Sequence, residues 1–385
     1  MKHRSQFLVA IFMALTVVFT GCIPLGIITK IPGIGGQPEK VVPEPGKFAD
    51  VDGIPIFGWH ARTAFLDARG GGGAPVGIQA LRSINVTHVG VPHSNSGQFP
   101  DGRHFINDIH DSLGAKVIRT LPNLYALSGG QVDLGKWILE WESPTNSGEF
   151  IQSIVDAMHS PIDGIGFDVE EDPTGERKYP FTRSDQKLAD QRGIRLRSQD
   201  DLLRFRSDQI TEVTRAILAS MQQEFLNCKI AIIYGAYPRD KHTNKDGDKY
   251  NTREYYGLDW EKLFDPSLSL NGHRLPVPTH GMPMYPGPVI PNKMVDWARD
   301  FEYPLLFNVQ TYVPAGENRE EFYTTKIEQL LAMVNVERGD GLSFVDEKPP
   351  PPPGEEDKQQ PQFWDTEDKG LLDLLGRLLR KHGIL

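Results

Sequence analysis

Two carboxylic acids stand one residue apart at the end of an apolar segment, in Asp163-Gly-Ile-Gly-Phe-Asp-Val-Glu170. If this segment is a β-strand, alternation of its side chains puts Asp168 and Glu170 on one face and Phe167 and Val169 on the other. Two carboxylates held so close disfavour joint ionisation, so one of them keeps a proton near neutral pH. Protonation of a glycosidic oxygen requires a protonated acid beside a carboxylate. The pair therefore predicts acid catalysis on a glycan.

Two structural interpretations of the same acids stay open. Asp168 and Glu170 could form ion pairs with Arg62 or Arg239, or they could cap the helix that follows them. In either case the acids would stabilise the fold and would not touch a substrate. Their exposure at an open mouth of the sheet distinguishes these interpretations from the catalytic one.

Aromatic and polar side chains at or near the ends of other predicted strands could bind a sugar. Aromatic rings offer apolar faces to the C–H groups of a pyranose, while its hydroxyls find polar partners. For any single one of these residues ordinary packing is the simpler explanation, so it is the set that indicates a binding site. The predicted substrate-binding residues are Trp59, His93, Tyr234, Gln310, Tyr312 and Asp346.

The acidic segment resembles the signature D-G-x-D-x-D-x-E on barrel strand 4 of family 18 glycoside hydrolases, which include chitinases and endo-β-N-acetylglucosaminidases. Gly166 replaces the first inner aspartate of that signature. The resemblance implies a general acid at Glu170 and, at Asp168, a carboxylate that orients the substrate 2-acetamido group, whose carbonyl attacks the anomeric carbon. It also implies that Tyr285, in Met-Pro-Met-Tyr-Pro, hydrogen-bonds this acetamide. The aspartate after the family's tyrosine and its strand 8 tryptophan have no counterparts here.

The seventh predicted strand has no acidic residue, and the first acid after it is Glu317 in the loop that follows. Many barrel glycosidases with a double-displacement mechanism carry their nucleophilic carboxylate at that strand end, about 5 Å from the acid. For a glycosidase, this absence favours participation by the substrate over a protein nucleophile. Asp346, on the eighth predicted strand, is the alternative second carboxylate.

Eight short apolar, β-branched runs could supply strands that position these residues. They mostly lack strict polar alternation, which is typical of parallel strands covered on both faces. The predicted strands are 54–60, 86–93, 116–121, 164–170, 229–235, 278–285, 304–312 and 341–346. The predicted helices are 76–84, 103–113, 148–159, 199–227, 259–264, 292–301, 318–335 and 371–379. The charged segment 172–197 is interpreted as a surface loop beside the cleft.

Eight such β-then-α units predict an α/β fold, namely a single-domain (β/α)8 TIM barrel over residues 51–385. An open doubly wound sheet is the rival, but no G-x-G-x-x-G follows the first strand. A proline-rich insertion at about 347–362 precedes the last helix, which could instead form a separate tail. Barrel enzymes place their chemistry at the C-terminal ends of the strands, where Asp168 and Glu170 lie.

The N-terminus has the features of a bacterial lipoprotein signal. Lys2-His-Arg4 precedes an apolar run over residues 7–19, and Thr-Gly-Cys22 follows it. Residues 1–22 are therefore predicted to be a signal peptide with lipidation at Cys22, and the Pro/Gly-rich segment 23–50 a tether. This predicts an exported protein of the cell envelope, anchored to a membrane by lipid. A plain signal peptide with an incidental cysteine is the alternative.

Composition excludes several classes of protein. The 385 residues contain 41 Lys+Arg and 51 Asp+Glu, a net charge of -10, which argues against a nucleic-acid binder that follows phosphates. Only two cysteines are present, too few for a disulfide scaffold or a four-cysteine metal site. Without the signal and the tether, Cys228 is the only thiol, and structural packing is its expected role. No cofactor is expected.

Two rival functions remain open at this stage. A surface carbohydrate-binding barrel without catalysis would explain the missing inner aspartate at position 166 and the missing strand 8 tryptophan. A metal-dependent isomerase or hydrolase would use His60, His93 and His280 with nearby carboxylates. No H-x-H or H-E-x-x-H spacing supports a metal site, so that alternative rests on the positions of the histidines alone.

Overall fold

The computed structural model describes residues 56–59, 84–93, 105–143, 148–158, 161–169, 171, 179–235, 241–243, 249–251, 256–283, 292–310, 317–345 and 369–384. Eight strands form its central sheet: β1 (Ile56–Trp59), β2 (His88–Pro92), β3 (Lys116–Leu121), β4 (Gly164–Asp168), β5 (Ile230–Gly235), β6 (His280–Pro283), β7 (Leu306–Gln310) and β8 (Gly341–Val345). Each lies within one of the eight predicted strands, and β3 has the predicted bounds.

All neighbouring strands of the sheet are parallel. Their order is β6, β5, β4, β3, β2, β1, β8, β7. The two end strands meet at a parallel bridge between Gly281 and Leu305, where the Gly281 N–H donates to the Pro304 carbonyl at 2.9 Å. The predicted α/β class with a parallel sheet is therefore confirmed.

The two faces of the sheet have different neighbours. Ile165 and Phe167 of β4 pack into a cluster with the surrounding helices, so Gly164, Gly166 and Asp168 occupy the opposite face. We call that face the inner face. Its apolar cluster consists of Ile118, Ile230, Ile232, Tyr234, Met282 and Leu306.

Ten helical segments surround the described part of the sheet, most of them with one apolar stripe against it. They are α1 (Phe105–Asn107, continued by a π-helical turn at Asp108–Leu113), α2 (Leu124–Leu127), α3 (Leu134–Glu142), α4 (Glu149–Asp156), α5 (Arg183–Gln191), α6 (Gln199–Glu224), α7 (Trp260–Leu263), α8 (Asn292–Asp300), α9 (Arg319–Leu331) and α10 (Lys369–Lys381). Capping boxes begin α5 and α6, because the Thr182 and Ser198 hydroxyls each accept an N–H three residues later.

Helix α5 corrects the interpretation of 172–197 as a surface loop. Asp185, in its first turn, is fully buried; it accepts hydrogen bonds from the Gly135 N–H at 3.1 Å and the Gln209 side chain at 2.7 Å. Leu188 and Ala189 are buried against the same neighbours. The sequence pattern does not indicate a packed helix here, because the side chain that anchors α5 to its neighbours, Asp185, is a carboxylate like the exposed charged residues around it. Helices α2 and α3 are also missing from the sequence prediction.

The last helix belongs to the folded body. Leu374, Leu375, Leu378 and Leu379 of α10 pack into the hydrophobic cluster formed with β7 and β8, which excludes the separate tail. The signal with Cys22, the tether, helix 76–84 (except its last residue) and the insertion 347–362 lie outside the described residues. Among the described helices, none is long and apolar enough to cross a membrane.

Candidate active site

Strand β4 carries Asp168 to the C-terminal end of the inner face. Asp168 is the register partner of Tyr234 on β5, and its side chain is partly exposed. The pairing continues one residue further, because the Val169 N–H donates to the Tyr234 carbonyl at 3.0 Å. Gly164 and Gly166 precede Asp168 on this face and contribute no side chains. Asp168 is thus the first carboxylate on the inner face of β4 and lies at its open end.

Tyr234 differs from its predicted role as an open stacking surface. Its side chain is only 6 % exposed and belongs to the inner apolar cluster. Its hydroxyl donates to the Leu121 carbonyl on β3 at 3.2 Å, reaching past β4. A ring packed into the core in this way has no free face for a sugar. Tyr234 therefore forms part of the packed interior next to Asp168.

Glu171 forms a buried link between the segments that follow β3 and β4. Its carboxylate is 1 % exposed and accepts hydrogen bonds from the Leu124 N–H and the Tyr179 hydroxyl. The Tyr179 ring lies 6.3 Å from that of Tyr125, which also follows β3. This link, which we call the Glu171 clamp, holds the chain directly after position 170. The sequence analysis missed it, although a third acid after a two-acid motif was its signal.

His93 lies where β2 ends. The backbone N–H of His93 donates to the Thr120 carbonyl at 2.9 Å, and the backbone carbonyl of His93 accepts from Arg119 Nη2 at 2.7 Å. Burial lowers the pKa of His93, and the nearby Arg119 guanidinium lowers it further. The imidazole is therefore favoured in its neutral form near neutral pH, and its role in substrate binding stays a prediction.

The C-terminal ends of β1 and β7 flank the end of β8. Both Trp59 and Gln310 are register partners of Val345, which brings these two predicted binding positions to either side of one residue. Two register pairs earlier, Asn308 lies beside Ser343, and both are fully buried on the inner face. Glu170, Tyr285, Tyr312, Asp346 and His60 lie outside the described residues.

His93 and His280, the two described histidines of the metal alternative, do not come together. His93 follows the C-terminal end of β2, whereas His280 lies at the N-terminal end of β6. His280 shares the inner face with His88, and burial is the main cause that lowers the pKa of each to about 3. Among the described residues, no group of three or more His, Cys, Asp or Glu side chains is arranged to hold a metal ion.

Cys228 is buried, as the packing interpretation requires. Burial raises the pKa of its thiol to about 12, so the thiolate that nucleophilic chemistry needs is disfavoured.

No protein-family model matches the sequence, and no curated protein matches it. Among solved structures, the chain is similar to a β-galactosidase from Rahnella sp. R3, with 11 % identity, TM-score 0.49 and coverage of 87 % of this chain and 57 % of that one. It is similar to α-L-fucosidase isoenzyme 2 from Paenibacillus thiaminolyticus, with 12 % identity, TM-score 0.44 and coverage of 86 % and 49 %. The catalytic domain of β-amylase from Paenibacillus polymyxa gives 13 % identity, TM-score 0.38 and coverage of 76 % and 92 %. The chain thus spans about half the length of the fucosidase.

Proposed function

We propose that this protein is a (β/α)8-barrel glycoside hydrolase whose acid is Glu170 and whose assisting carboxylate is Asp168. The observation that carries this function is the position of Asp168, partly exposed on the inner face where β4 ends. Barrel enzymes do their chemistry at that end of the strands. Chain alternation favours the same face for position 170 as for position 168.

The pairing of the strands supports a closed barrel. The register can be followed through all eight strands, with the Gly281–Leu305 bridge joining β6 to β7. It then returns to β1 at a position eight residues away from the residue where it began. Eight strands with a shear of eight define the (β/α)8 barrel. The inner face is then the barrel interior, and Asp168 faces its C-terminal mouth.

The proposed reaction is hydrolysis at an N-acetylhexosamine. Glu170 would give its proton to the leaving glycosidic oxygen while the acetamide carbonyl of the substrate attacks the anomeric carbon. Asp168 would stabilise the positive charge that develops on the acetamide, and Tyr285 would hydrogen-bond to it. Water would then open the cyclic intermediate and return the proton to Glu170. The absence of acidic residues from β7 supports participation by the substrate, because no protein nucleophile stands there.

The surroundings of Asp168 are compatible with this role. The Glu171 clamp holds one side of the acidic segment, and Tyr234 lies beside Asp168 on the neighbouring strand. Both neighbours restrict motion of the backbone that bears the acids, and an acid must be held near the leaving oxygen to transfer its proton.

The test is hydrolysis of aryl glycosides of N-acetylglucosamine and of its dimer by the mature protein. In Glu170→Gln, turnover should fall by about 10²–10⁴ while oligosaccharide binding survives. Glu224→Gln is the matched control, because Glu224 is exposed at the end of α6, shortly before the N-terminal end of β5. Unchanged turnover in Glu170→Gln would contradict the acid role. Binding of chitin or peptidoglycan fragments by the wild type without turnover would select the non-catalytic binding module.

We propose further that the protein is exported and anchored to a membrane by lipid on Cys22. The support is the basic, apolar and Thr-Gly-Cys22 sequence of residues 2–22. When the protein is expressed in a bacterium supplied with a labelled fatty acid, the wild type should sediment with membranes and carry the label. Cys22→Ser should not carry the label. A labelled Cys22→Ser protein would contradict lipidation at this residue.

A further inference from the structure

One layer of the barrel interior is short of side chains. In a (β/α)8 barrel, alternate strands supply the four residues of each interior layer. The observed registers bring four buried residues from β2, β4, β6 and β8 to one level: Gly90, Gly166, Met282 and Ser343. Two of the four are glycines, so half of the layer has no side chain. Asn308 of β7 belongs to the next layer toward the mouth and pairs in register with Ser343.

Asn308 and Ser343 are polar residues buried on the inner face of the sheet, out of contact with bulk solvent. Both are 0 % exposed. Within the part of the chain that the structure describes, no hydrogen-bond partner meets the Asn308 Oδ1, the Asn308 Nδ2 or the Ser343 Oγ. Buried polar atoms in folded proteins are nearly always hydrogen-bonded, since an unpaired one costs about 1–3 kcal/mol. Three such atoms on two neighbouring residues therefore indicate a shared partner.

We propose that Asn308 and Ser343 form an internal water site beneath the mouth of the barrel. Water is the ligand that fits, because it donates and accepts and is small enough for an enclosed polar site. It would donate a hydrogen bond to Asn308 Oδ1 and accept one from the Ser343 hydroxyl or the Asn308 amide N–H. The glycines at 90 and 166, which occupy the level of Ser343, are the positions where a side chain would otherwise fill the interior.

The sign of a stability change tests this site. If the Ser343 hydroxyl binds a water, Ser343→Ala should lower the thermal unfolding midpoint by about 1–3 °C, because a hydrogen bond is lost. Ser207→Ala is the matched control: Ser207 is also fully buried, and its Oγ donates to the Gly257 carbonyl at 3.2 Å. The two variants should lose similar amounts. A rise in the midpoint of Ser343→Ala would overturn the site, because removal of an unpaired hydroxyl relieves a penalty.

A crystal structure of the wild-type protein at a resolution that shows ordered water gives an independent answer. The expected result is a density peak within hydrogen-bonding distance of both the Asn308 amide and the Ser343 Oγ, which disappears or weakens in Ser343→Ala. A direct hydrogen bond between Asn308 and Ser343, or no peak between them in the wild type, would overturn the water site.

Discussion

Asp168 and Tyr234 lie side by side on β4 and β5, in register and on the same face of the sheet, but in different environments. The Asp168 side chain is partly exposed, whereas the Tyr234 ring is buried and its hydroxyl is bound to the Leu121 carbonyl. The aromatic ring thus fills the interior next to the carboxylate. Asp168 thus stands at a strand end beside a packed ring, with part of its surface in contact with solvent.

Loss of the Tyr234 hydroxyl should destabilise the protein. Tyr234→Phe keeps the ring in the inner cluster but leaves the Leu121 carbonyl, which accepts from it at 3.2 Å, without this donor. We expect the free energy of unfolding to fall by about 1 kcal/mol, measured by urea denaturation. Tyr234→Ala should cost several times more, because it also removes the packed ring. Equal stability of the wild type and Tyr234→Phe would show that this hydrogen bond does not form.

The Glu171 clamp should contribute to stability and to the proposed catalysis. Tyr179→Phe removes one donor to the buried Glu171 carboxylate, and we expect a loss of about 1–3 kcal/mol in the free energy of unfolding. Turnover should fall as well, because the clamp holds the backbone next to Glu170. The control is Glu149→Gln, at an exposed acid in the first turn of α4, which should change neither quantity. Wild-type stability in Tyr179→Phe would contradict the clamp.

Helix α3 should tolerate no side chain at Gly135. A Cβ built there would lie 2.5 Å from the Asp185 backbone N, and Asp185 must stay in place because it accepts the Gly135 N–H. Gly135→Ala should therefore lower the free energy of unfolding by about 1–3 kcal/mol, despite the better helix propensity of alanine. Lys136→Ala, at the exposed neighbouring position, should stay within about 0.5 kcal/mol of the wild type. A Gly135→Ala protein as stable as Lys136→Ala would show that α3 and α5 do not pack this closely.

Acid should destabilise the fold through His88 and His280. Burial lowers their pKa from 6.5 to about 3, and the unfolded chain therefore binds protons on both imidazoles at pH values where the folded chain does not. Their contribution to stability is present above about pH 6.5 and is lost as the pH falls toward 3. Between pH 6 and 4, each should contribute up to ~1.4 kcal/mol per pH unit to the slope.

The measurement is the free energy of unfolding at several pH values in that window. His88→Gln should have a slope smaller by about one proton than the wild type, whatever its absolute stability. His273→Gln, at an exposed position, serves as the control and should keep the wild-type slope. Identical slopes in His88→Gln and the wild type would mean that His88 is not buried as a neutral group.

The order and type of the strands could be predicted from the sequence because those signals are local. Short β-branched runs such as 116–121 have few alternatives, and helices between them require parallel pairing. The inner position of Asp168 follows from the same local rule, since alternation of side chains depends only on the strand itself. Helix α5 could not be predicted in this way, because the partners of Asp185, on α3 and α6, lie about 50 and 24 residues away along the chain.

The sequence by itself determined which residues are strand residues and which face of β4 bears a carboxylate. Only the tertiary structure decided that Tyr234 is buried and that Glu171 joins the segments after β3 and β4. It also decided that His93 lies at the C-terminal end of its strand and His280 at the N-terminal end of another. These outcomes depend on which strands pair and with what register. Register is set by contacts between distant parts of the chain, and a displacement of one residue would move each side chain to the other face.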